Sequence, residues 1–487
     1  MTNTTMSIDS MRGAPSRALR FAGIAALSAA LSACNLFETD VKNPNAVTES
    51  ALDGPAIAAN LANGLGASVT RAQSAILGPN AVASDELTWV GSREAYRQLD
   101  EGAVTDPRNE YTNENGFPFV AEARWYADFV TENRFPILLA SADSNAVKAD
   151  AARSLLYSAI IHTQIGEMYD DFVLTQQRAV QAPSLGVARF DTVFQIAINR
   201  ATRGLAIAQS VANTALQRDL LAIRARARHS QAIKASLRAA RAAAAAGTTA
   251  PAPAAPLVNN AAATADANAA LALMTAGYRL RFTPTVATLP GINVGFEMNS
   301  RLETRAGAAY INPNAAGTRP LDGIAGIRLN DPANATPTPD AALARAIDEC
   351  CRQAVGQTMP MVILSEVDMQ LIVAEAALAA GNTAGFETAI NNVRARSAKP
   401  AITVAGLAAL PTPITAQDLL IHERRVNLFL QSRRLMDHYR FNQPADRWVN
   451  QNIAIRRHCF FPIAFGEKLS NPNALPQPAE ATTAECR

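Results

Sequence analysis

Apolar and small residues recur at helical spacing along most of this chain. In residues 151–169, Leu156 and Gly166 fall along one stripe, where small side chains let a neighbouring helix approach closely. The same periodicity predicts helices at 189–209 and 214–246. Helical patterns therefore dominate this part of the chain.

The C-terminal third carries the most regular pattern. Residues 361–380 and 386–396 predict two consecutive helices. A third helix begins where Thr415 and Asp418 resemble a capping box, and we expect it to run to about residue 439. Paired helices of this kind build tetratricopeptide-like arrays. The pattern therefore predicts a mainly α fold of tetratricopeptide-like helical pairs.

Two stretches lack sustained periodicity and are rich in Asn, Gly, Pro and Thr. They lie near 80–120 and 247–345, and the second begins with a proline-rich linker. Irregular segments of this length within a compact protein often carry function. We expect both to be loop-rich insertions.

Two charged side chains fall on the apolar seams of predicted helices. At about 100° per residue, Glu375 lies on the seam of Leu364, and Arg424 lies on the stripe of Ile421 and Leu428. A buried charge costs several kcal/mol unless it is paired. We therefore expect Glu375 and Arg424 to form a structural ion pair; a catalytic acid at Glu375 is the alternative.

The composition is that of a globular protein. Of the 487 residues, 49% are hydrophobic and 18% are charged, unlike a disordered chain. The formal net charge of +2 gives no electrostatic case for a nucleic-acid partner. Arg224, Arg226 and Arg228 form a basic stripe, which we interpret as an exposed helix face and not as a phosphate site.

The N-terminus has the three parts of a bacterial lipoprotein signal. Arginines between positions 12 and 20 form a basic region, and the apolar stretch 21–31 that follows is too short to span a bilayer. The sequence then reads Leu31-Ser-Ala-Cys34, which resembles a lipobox. We therefore expect cleavage to leave Cys34 as an acylated N-terminus. Its acyl chains would anchor the protein stably in a membrane.

These boundaries divide the chain into three parts. Residues 1–33 are the predicted signal peptide, and residues 34–50 are the lipidated cysteine with its polar tether. Residues 51–487 are expected to form a single domain.

The other cysteines are Cys350, Cys351, Cys459 and Cys486. Export permits disulfides. A bond between the adjacent Cys350 and Cys351 would strain the peptide, so we expect at least one of them to pair with Cys459 or Cys486. The spacing gives little support for a zinc site, and we predict neither a metal nor a cofactor.

Three segments resemble the SusD/RagB family of outer-membrane nutrient-binding lipoproteins. The first comprises residues 364–376 (LSEVDMQLIVAEA) and 389–396 (AINNVRAR). The second is 423–437 (ERRVNLFLQSRRLMD). The third is 461–467 (FPIAFGE) with 471–475 (NPNAL). Their order and spacing also agree with the family pattern. The chain departs from it where Gln431 and Ser432 replace Glu and Gly.

The resemblance implies a SusD-like scaffold that caps a SusC-like TonB-dependent transporter of the outer membrane. Such a protein binds an oligosaccharide or a peptide and delivers it to the transporter without covalent chemistry. It would be lipid-anchored and exposed at the cell surface. The resemblance therefore implies a binding protein and not an enzyme.

The candidate ligand-binding residues are Trp89, Tyr96 and Tyr111, because they are aromatic and lie in the loop-rich N-terminal stretch. Aromatic faces stack on sugar rings, and core packing is the alternative for each residue. A hydrolase is disfavoured because the sequence lacks a G-x-S-x-G elbow and an H-E-x-x-H motif. A lipid-anchored helical-repeat scaffold that binds only other proteins remains the main alternative function.

Overall fold

The computed structural model describes residues 52, 54–141, 144–175, 181–244, 250–285, 293–312, 326–351, 358–448 and 458–474. The expected signal peptide, Cys34, its tether and Cys486 lie outside these residues. The described residues from Gly54 onward belong to one compact unit. Within them, every helix is too short or too polar to cross a membrane.

Helices make up most of the described chain, which confirms the predicted mainly α class. They are α1 (Ala58–Ala83), α2 (Glu94–Asp100), α3 (Glu110–Asn113), α4 (Phe117–Asp128), a π-helix (Phe129–Arg134), α5 (Phe135–Ser141), α6 (Asn145–Met168), α7 (Gly186–Arg189), α8 (Asp191–Ser210), α9 (Thr214–Ala243), α10 (Ala261–Leu271), α11 (Val294–Asn299), α12 (Ala341–Cys350), α13 (Glu366–Ala379), α14 (Thr383–Ala395), α15 (Val404–Ala408), α16 (Ala416–Asn427), α17 (Arg434–Arg440) and α18 (Phe465–Ser470).

Four short strands form two antiparallel pairs among the described residues. They are β1 (Leu87–Trp89), β2 (Arg279–Phe282), β3 (Thr304–Ala306) and β4 (Met361–Ser365). Strand β1 pairs with β3, and β2 pairs with β4. Strands β1 and β3 join the two irregular stretches to each other, and β2 with β4 joins the second stretch to the segment that precedes α13.

Consecutive helices pack in layers through the N-terminal part, with α6 against α8, α8 against α9, and α9 against α10. Small residues set the spacing, as predicted for Gly166. A Cβ atom at Gly166 would lie 2.5 Å from the Phe194 ring, and one at Gly204 would lie 2.8 Å from Leu220 Cδ2. Both distances are too short for any larger side chain unless the neighbouring side chain shifts.

The C-terminal helices enclose a second apolar core between α13, α14 and α16. The predicted capping box opens α16, where Thr415 Oγ1 accepts from the Asp418 N–H at 3.0 Å and Asp418 Oδ2 accepts from the Thr415 N–H at 2.9 Å. The apolar side chains of this core include Leu371, Phe386, Ile390, Val393, Leu407, Leu419, Leu420 and Leu428.

Two of the predicted helices have different bounds in the structure. Residues 361–365 form β4 and not the first turn of α13, because they pair with β2. Ser365 then caps α13 by accepting from the Asp368 N–H at 3.1 Å. The helix predicted from Thr415 to about residue 439 is broken at 428–433, between α16 and α17.

The break at 428–433 contains two left-handed residues, Leu430 at φ 55° and Ser432 at φ 62°. The Leu430 N–H donates to Glu86 Oε1 at 3.0 Å, which holds the non-helical backbone from another part of the chain. The SusD/RagB pattern has Gly where Ser432 stands. A left-handed backbone costs an L-residue roughly 1–2 kcal/mol, so the structure supplies a physical reason for that glycine.

Replacing Ser432 by Gly is expected to raise the free energy of unfolding by about 1 kcal/mol. The buried Ser432 Oγ has no hydrogen-bond partner among the described residues, so the substitution removes an unsatisfied hydroxyl as well as the strain. Denaturant titration measures the effect. The matched control is Gly381→Ala, at φ 69° with nothing near its Cβ position, which should lose about 1 kcal/mol. A destabilised Ser432→Gly protein would contradict this account.

The two irregular stretches contain more regular structure than the sequence suggested. Residues 80–120 include the end of α1, strand β1, helices α2 and α3 and the start of α4, while α10, α11, β2 and β3 lie within 247–345. These elements are short, and several begin with an Asn cap, as at Asn109 and Asn293. Side-chain caps stabilise helix ends locally and are not visible as hydrophobic periodicity.

The basic stripe of α9 is not an exposed face, which corrects the expectation. Arg226 is 3% exposed and binds Glu167 through two bonds of 3.0 and 2.6 Å. Arg224 and Arg228 both pair with Asp266 of α10, at 2.7 and 2.5 Å. Each of the three arginines therefore pairs with a carboxylate on a neighbouring helix, and Asp266 is shared by two of them.

The predicted disulfide pattern is wrong, because Cys350 and Cys351 bond to each other. Cys350 is the last residue of α12, and Cys351 is its C-cap. The disulfide therefore joins the last residue of the helix to the residue that follows the helix. Cys459 is also disulfide-bonded.

Glu375 is fully buried within a network of charges. Arg424 Nη1 lies 3.6 Å from Glu375 Oε2, but Arg440 binds Glu375 with both terminal nitrogens and His229 Nε2 lies 3.1 Å away. Arg424 makes its shorter contact with Asp437, at 2.9 Å. Arg440 is therefore the main partner of Glu375, and Arg424 bridges the two carboxylates.

Candidate functional site

Two of the three aromatic residues expected at a ligand site, Tyr96 and Tyr111, pack against each other. Their rings stack with centroids 3.8 Å apart and an interplanar angle of 20°. Only 3% and 4% of their surfaces are exposed. In this conformation the pair forms part of the core, so ligand stacking on either ring requires α2 and α3 to rearrange.

Trp89 lies at the end of β1 and is only half-buried. The backbone N–H of Trp89 donates to Asp100 Oδ2 at 3.0 Å, and Thr88 Oγ1 donates to the same oxygen at 2.8 Å. Burial raises the pKa of Asp100 to about 6, although the charge of Arg447 opposes this shift. The backbone at Trp89 is therefore held firmly, and Trp89 alone of the three predicted residues is partly exposed.

The turn after Trp89 is held by Glu303, next to β3. Its Oε2 accepts from the N–H groups of Ser92 and Arg93, both at 2.8 Å. A Cβ at Gly91 would lie 2.7 Å from Glu303 Cα, so only glycine fits this close backbone approach. The turn is thus preorganised beside the Trp89 side chain.

A second group of half-buried rings, missed by the sequence reasoning, lies on α4 and the π-helix. Trp125 and Phe129 stack with centroids 5.4 Å apart at 11°, and Tyr126 lies 6.4 Å from Phe129. Arg134 caps Phe129 with its guanidinium carbon 4.7 Å from the ring centroid. Isolated π-helical turns are frequent at functional sites. We call these three rings the α4 aromatic surface.

A cavity of about 320 Å³ lies beside α4 and α18. Its walls include Phe117 and Arg124 of α4, Gln181, and Glu467 and Asn471 near the C-terminal end of the described chain. This volume is at the lower end of the range for small-molecule sites, which is about 300–1,000 Å³. We call it the α4 cavity. It combines an apolar wall with one cation, one carboxylate and two amides.

Arg124 is the most deeply buried charged group of the α4 cavity, with 4% of its side chain exposed. Its Nη1 donates to the Thr175 carbonyl at 2.6 Å and to Asp128 at 3.3 Å. Its Nε has no hydrogen-bond partner among the described residues. Burial lowers the pKa of Arg124, and the Asp128 charge opposes that shift. An arginine nevertheless stays charged, so Arg124 retains capacity to bind an acceptor.

Among the described residues, one group has the spacing of metal ligands: Asp331, Asp340 and His422, whose ligand atoms lie within 4.8 Å of one another. Lys399 Nζ lies 2.7 Å from Asp340, and Arg394 Nη2 lies 2.9 Å from Asp331. These two cations already neutralise the carboxylates. The group is therefore part of a buried ion network, and protein cations fill the place that a metal ion would take.

One protein-family model matches part of the chain. Residues 356–460 match the model of the SusD family. This segment includes β4, helices α13 to α17 and the break at 428–433. No curated protein sequence matches the chain.

Solved structures share the fold over most of the chain. A SusD superfamily protein from Bacteroides thetaiotaomicron VPI-5482 has a TM-score of 0.57 at 10% identity, and the match covers 87% of this chain and 100% of that chain. A SusD-like protein from Bacteroides fragilis NCTC 9343 has a TM-score of 0.54 at 11% identity, with coverage of 88% and 98%. At these identities the likeness shows the fold.

Proposed function

We propose that this SusD/RagB-like protein is a lipid-anchored, surface-exposed binding protein that captures an oligosaccharide or a peptide and delivers it to a SusC-like TonB-dependent transporter in the outer membrane. One observation carries the proposal: a SusD family match at 356–460 coincides with a SusD-type helical fold along most of the chain. The lipobox ending at Cys34 supports attachment to the membrane after export.

The α4 cavity supports the binding part of this proposal. Arg124 can donate to ligand oxygens, while Glu467 and the amide oxygens of Gln181 and Asn471 can accept from hydroxyl or amide donors. Such groups recognise a polar molecule without bond making or breaking. The proposed role is therefore binding and not catalysis.

The partly exposed rings support a carbohydrate in particular. Trp89 and the α4 aromatic surface present apolar ring area beside polar groups, and the C–H faces of sugar rings pack on such area. A peptide with aromatic or aliphatic side chains can use the same surfaces, so the ligand class is settled by binding assays.

Filling the α4 cavity is expected to weaken ligand binding by about tenfold or more. Ala121 lines the cavity and is half-buried, so Ala121→Trp places a large side chain in the ligand volume. Full-length protein in detergent is tested against a panel of polysaccharides and peptides, and dissociation constants are measured for each ligand that binds.

The matched control is Ala408→Trp, at an exposed position on α15, which should leave every dissociation constant within about twofold. Trp89→Ala in the same assay shows whether the predicted stacking residue contributes. If Ala121→Trp binds the ligand as tightly as the unmodified protein, the α4 cavity is not the capture site. If no ligand of either class binds, the nutrient-capture proposal itself fails.

A further inference from the structure

A narrow cleft lies beside α12 and shares no lining residue with the α4 cavity. It is bounded by β2, β4 and the broken segment after α16, and its volume is about 40 Å³. We call it the α12 cleft. Space of this size admits a small polar group and excludes a whole sugar ring. Its polar lining comprises Arg279, Arg345, Glu349, Asn427 and Gln431.

Positive charge exceeds negative charge at this cleft. Arg279 pairs with Glu349, and Arg281, which lies just outside the lining, shares the same carboxylate at 3.4 Å. The single carboxylate of Glu349 is therefore shared by two arginines. Among the described residues, Arg345 makes no ion pair with a carboxylate; its Nη1 donates to the Arg396 carbonyl at 2.6 Å.

Two polar atoms at the cleft have unused hydrogen-bonding capacity. Arg345 Nε and Asn427 Oδ1 are buried and have no partner among the described residues. The Asn427 amide nitrogen is occupied by Glu423, at 3.0 and 2.9 Å, so its orientation is fixed with the oxygen free. Burial and the nearby Arg279 charge lower the pKa of Arg345, although the Glu349 and Asp340 charges oppose this shift. One donor and one acceptor therefore lack partners at the same cleft.

Two unusual features occur among the residues that line the cleft. Cys350, which lines it, bonds to its neighbour Cys351. A cross-link between adjacent residues closes the smallest possible loop and constrains the unfolded chain least, so its main effect is on local geometry. Gln431, which also lines the cleft, lies between the left-handed Leu430 and Ser432. Backbone strain of this kind concentrates at binding sites.

We propose that the α12 cleft is a second binding site, which takes a carboxylate group with a hydroxyl or amide N–H donor beside it. The Arg345 guanidinium binds the carboxylate, Arg279 contributes charge, and Asn427 Oδ1 accepts from the adjacent donor. Arginine is suited to this task because its planar fork matches a carboxylate. An acidic sugar and the C-terminal end of a peptide both present this chemistry. The site is independent of the proposed delivery to a transporter.

The test uses four small probes and full-length protein in detergent. Lactate and N-acetylglycine carry a carboxylate next to a hydroxyl or an amide N–H; lactamide and N-acetylglycinamide are their neutral counterparts. Calorimetric titration should show binding of at least one acid about tenfold tighter than its amide. Binding of lactate alone assigns the site to hydroxy acids such as acidic sugars. Binding of N-acetylglycine alone assigns it to peptide ends.

Three variants locate the binding. Arg345→Gln should weaken binding of the acid by about tenfold or more. Ala346→Leu should also weaken it, by filling the cleft without removing a charge. Arg203→Gln is the matched control, because this arginine is 40% exposed, pairs with Glu132 and does not line the cleft. The affinity of this control variant should stay within about twofold. The proposal is overturned if neither acid binds more tightly than its amide, or if Ala346→Leu leaves the affinity unchanged.

Discussion

Glu375→Gln is expected to lower the free energy of unfolding by about 3–5 kcal/mol, since removing one partner of a buried ion pair strands the other charge. Glu375 is fully buried. Its carboxylate accepts hydrogen bonds from Arg440 and from the Val258 N–H, the latter at 2.9 Å, and it also contacts His229. Burial alone would raise the pKa of Glu375, but the charges of Arg440, His229 and Arg424 together outweigh burial and hold the pKa well below its ordinary value. Without this carboxylate, Arg440 and Arg424 share only Asp437.

The loss is measured by denaturant titration at neutral pH. Glu122→Gln is the control, because its pair with Arg71 is exposed at the surface, with 53% of the Glu122 side chain accessible, and should cost less than about 1 kcal/mol. A double variant, Glu375→Leu with Arg440→Met, should be more stable than either single variant, since it leaves no stranded charge at this pair. A loss below about 1 kcal/mol for Glu375→Gln would show that water or another charge compensates Arg440.

Glu86→Gln is expected to remove a pH-dependent loss of stability of roughly 3 kcal/mol between pH 5 and pH 8. Glu86 is 1% exposed, and its Oε2 has no hydrogen-bond partner among the described residues. Burial raises its pKa to about 8, although the bond from the Leu430 N–H opposes the shift and the neighbouring Asp85 adds to it. The folded protein therefore keeps the Glu86 proton well above pH 5.

The sign follows from the proton count. Between about pH 4.5 and pH 8 the unfolded chain has lost this proton and the folded chain retains it, so stability falls as pH rises. Glutamine stays neutral and can still accept from Leu430. The measurement is the difference in unfolding free energy between Glu86→Gln and the unmodified protein at pH 5 and pH 8. This difference should grow in favour of the variant as pH rises; a constant difference would mean that Glu86 is ionised in the folded state.

The sequence predicted elements whose cause is local. The α16 capping box depends on residues three apart, Thr415 and Asp418, and the structure contains both of its bonds. Gly166 meets the neighbouring helix through Phe194, as the small-residue stripe indicated. Periodicity and capping act over one or two turns, so they are readable from the chain alone.

The errors arose where distant contacts decide the structure. Residues 361–365 form a strand only because 279–282 lie beside them, and the break at 428–433 is held by Glu86 from the other end of the chain. Arg226 was interpreted as exposed because its partner, Glu167, lies on a different helix. Helical periodicity contains no information about these partners.

The candidate sites were the least predictable part. Aromatic residue type selected Tyr96 and Tyr111, but their mutual stacking depends on how α2 and α3 meet. The α4 cavity needs Arg124 and Glu467, which are far apart in sequence and belong to no motif. A run of aromatic residues from Phe117 to Phe135 was the available signal for the α4 aromatic surface.

Delivery of a captured nutrient to a partner transporter is measured by affinity purification from detergent-solubilised membranes of the native host. The full-length protein carries a C-terminal tag, an untagged strain is the control, and partners are quantified by mass spectrometry. We expect a TonB-dependent barrel to be recovered in near-equal amount. Recovery of the lipoprotein alone, with the barrel detectable in the input, would contradict this expectation and would favour a scaffold that acts without a transporter.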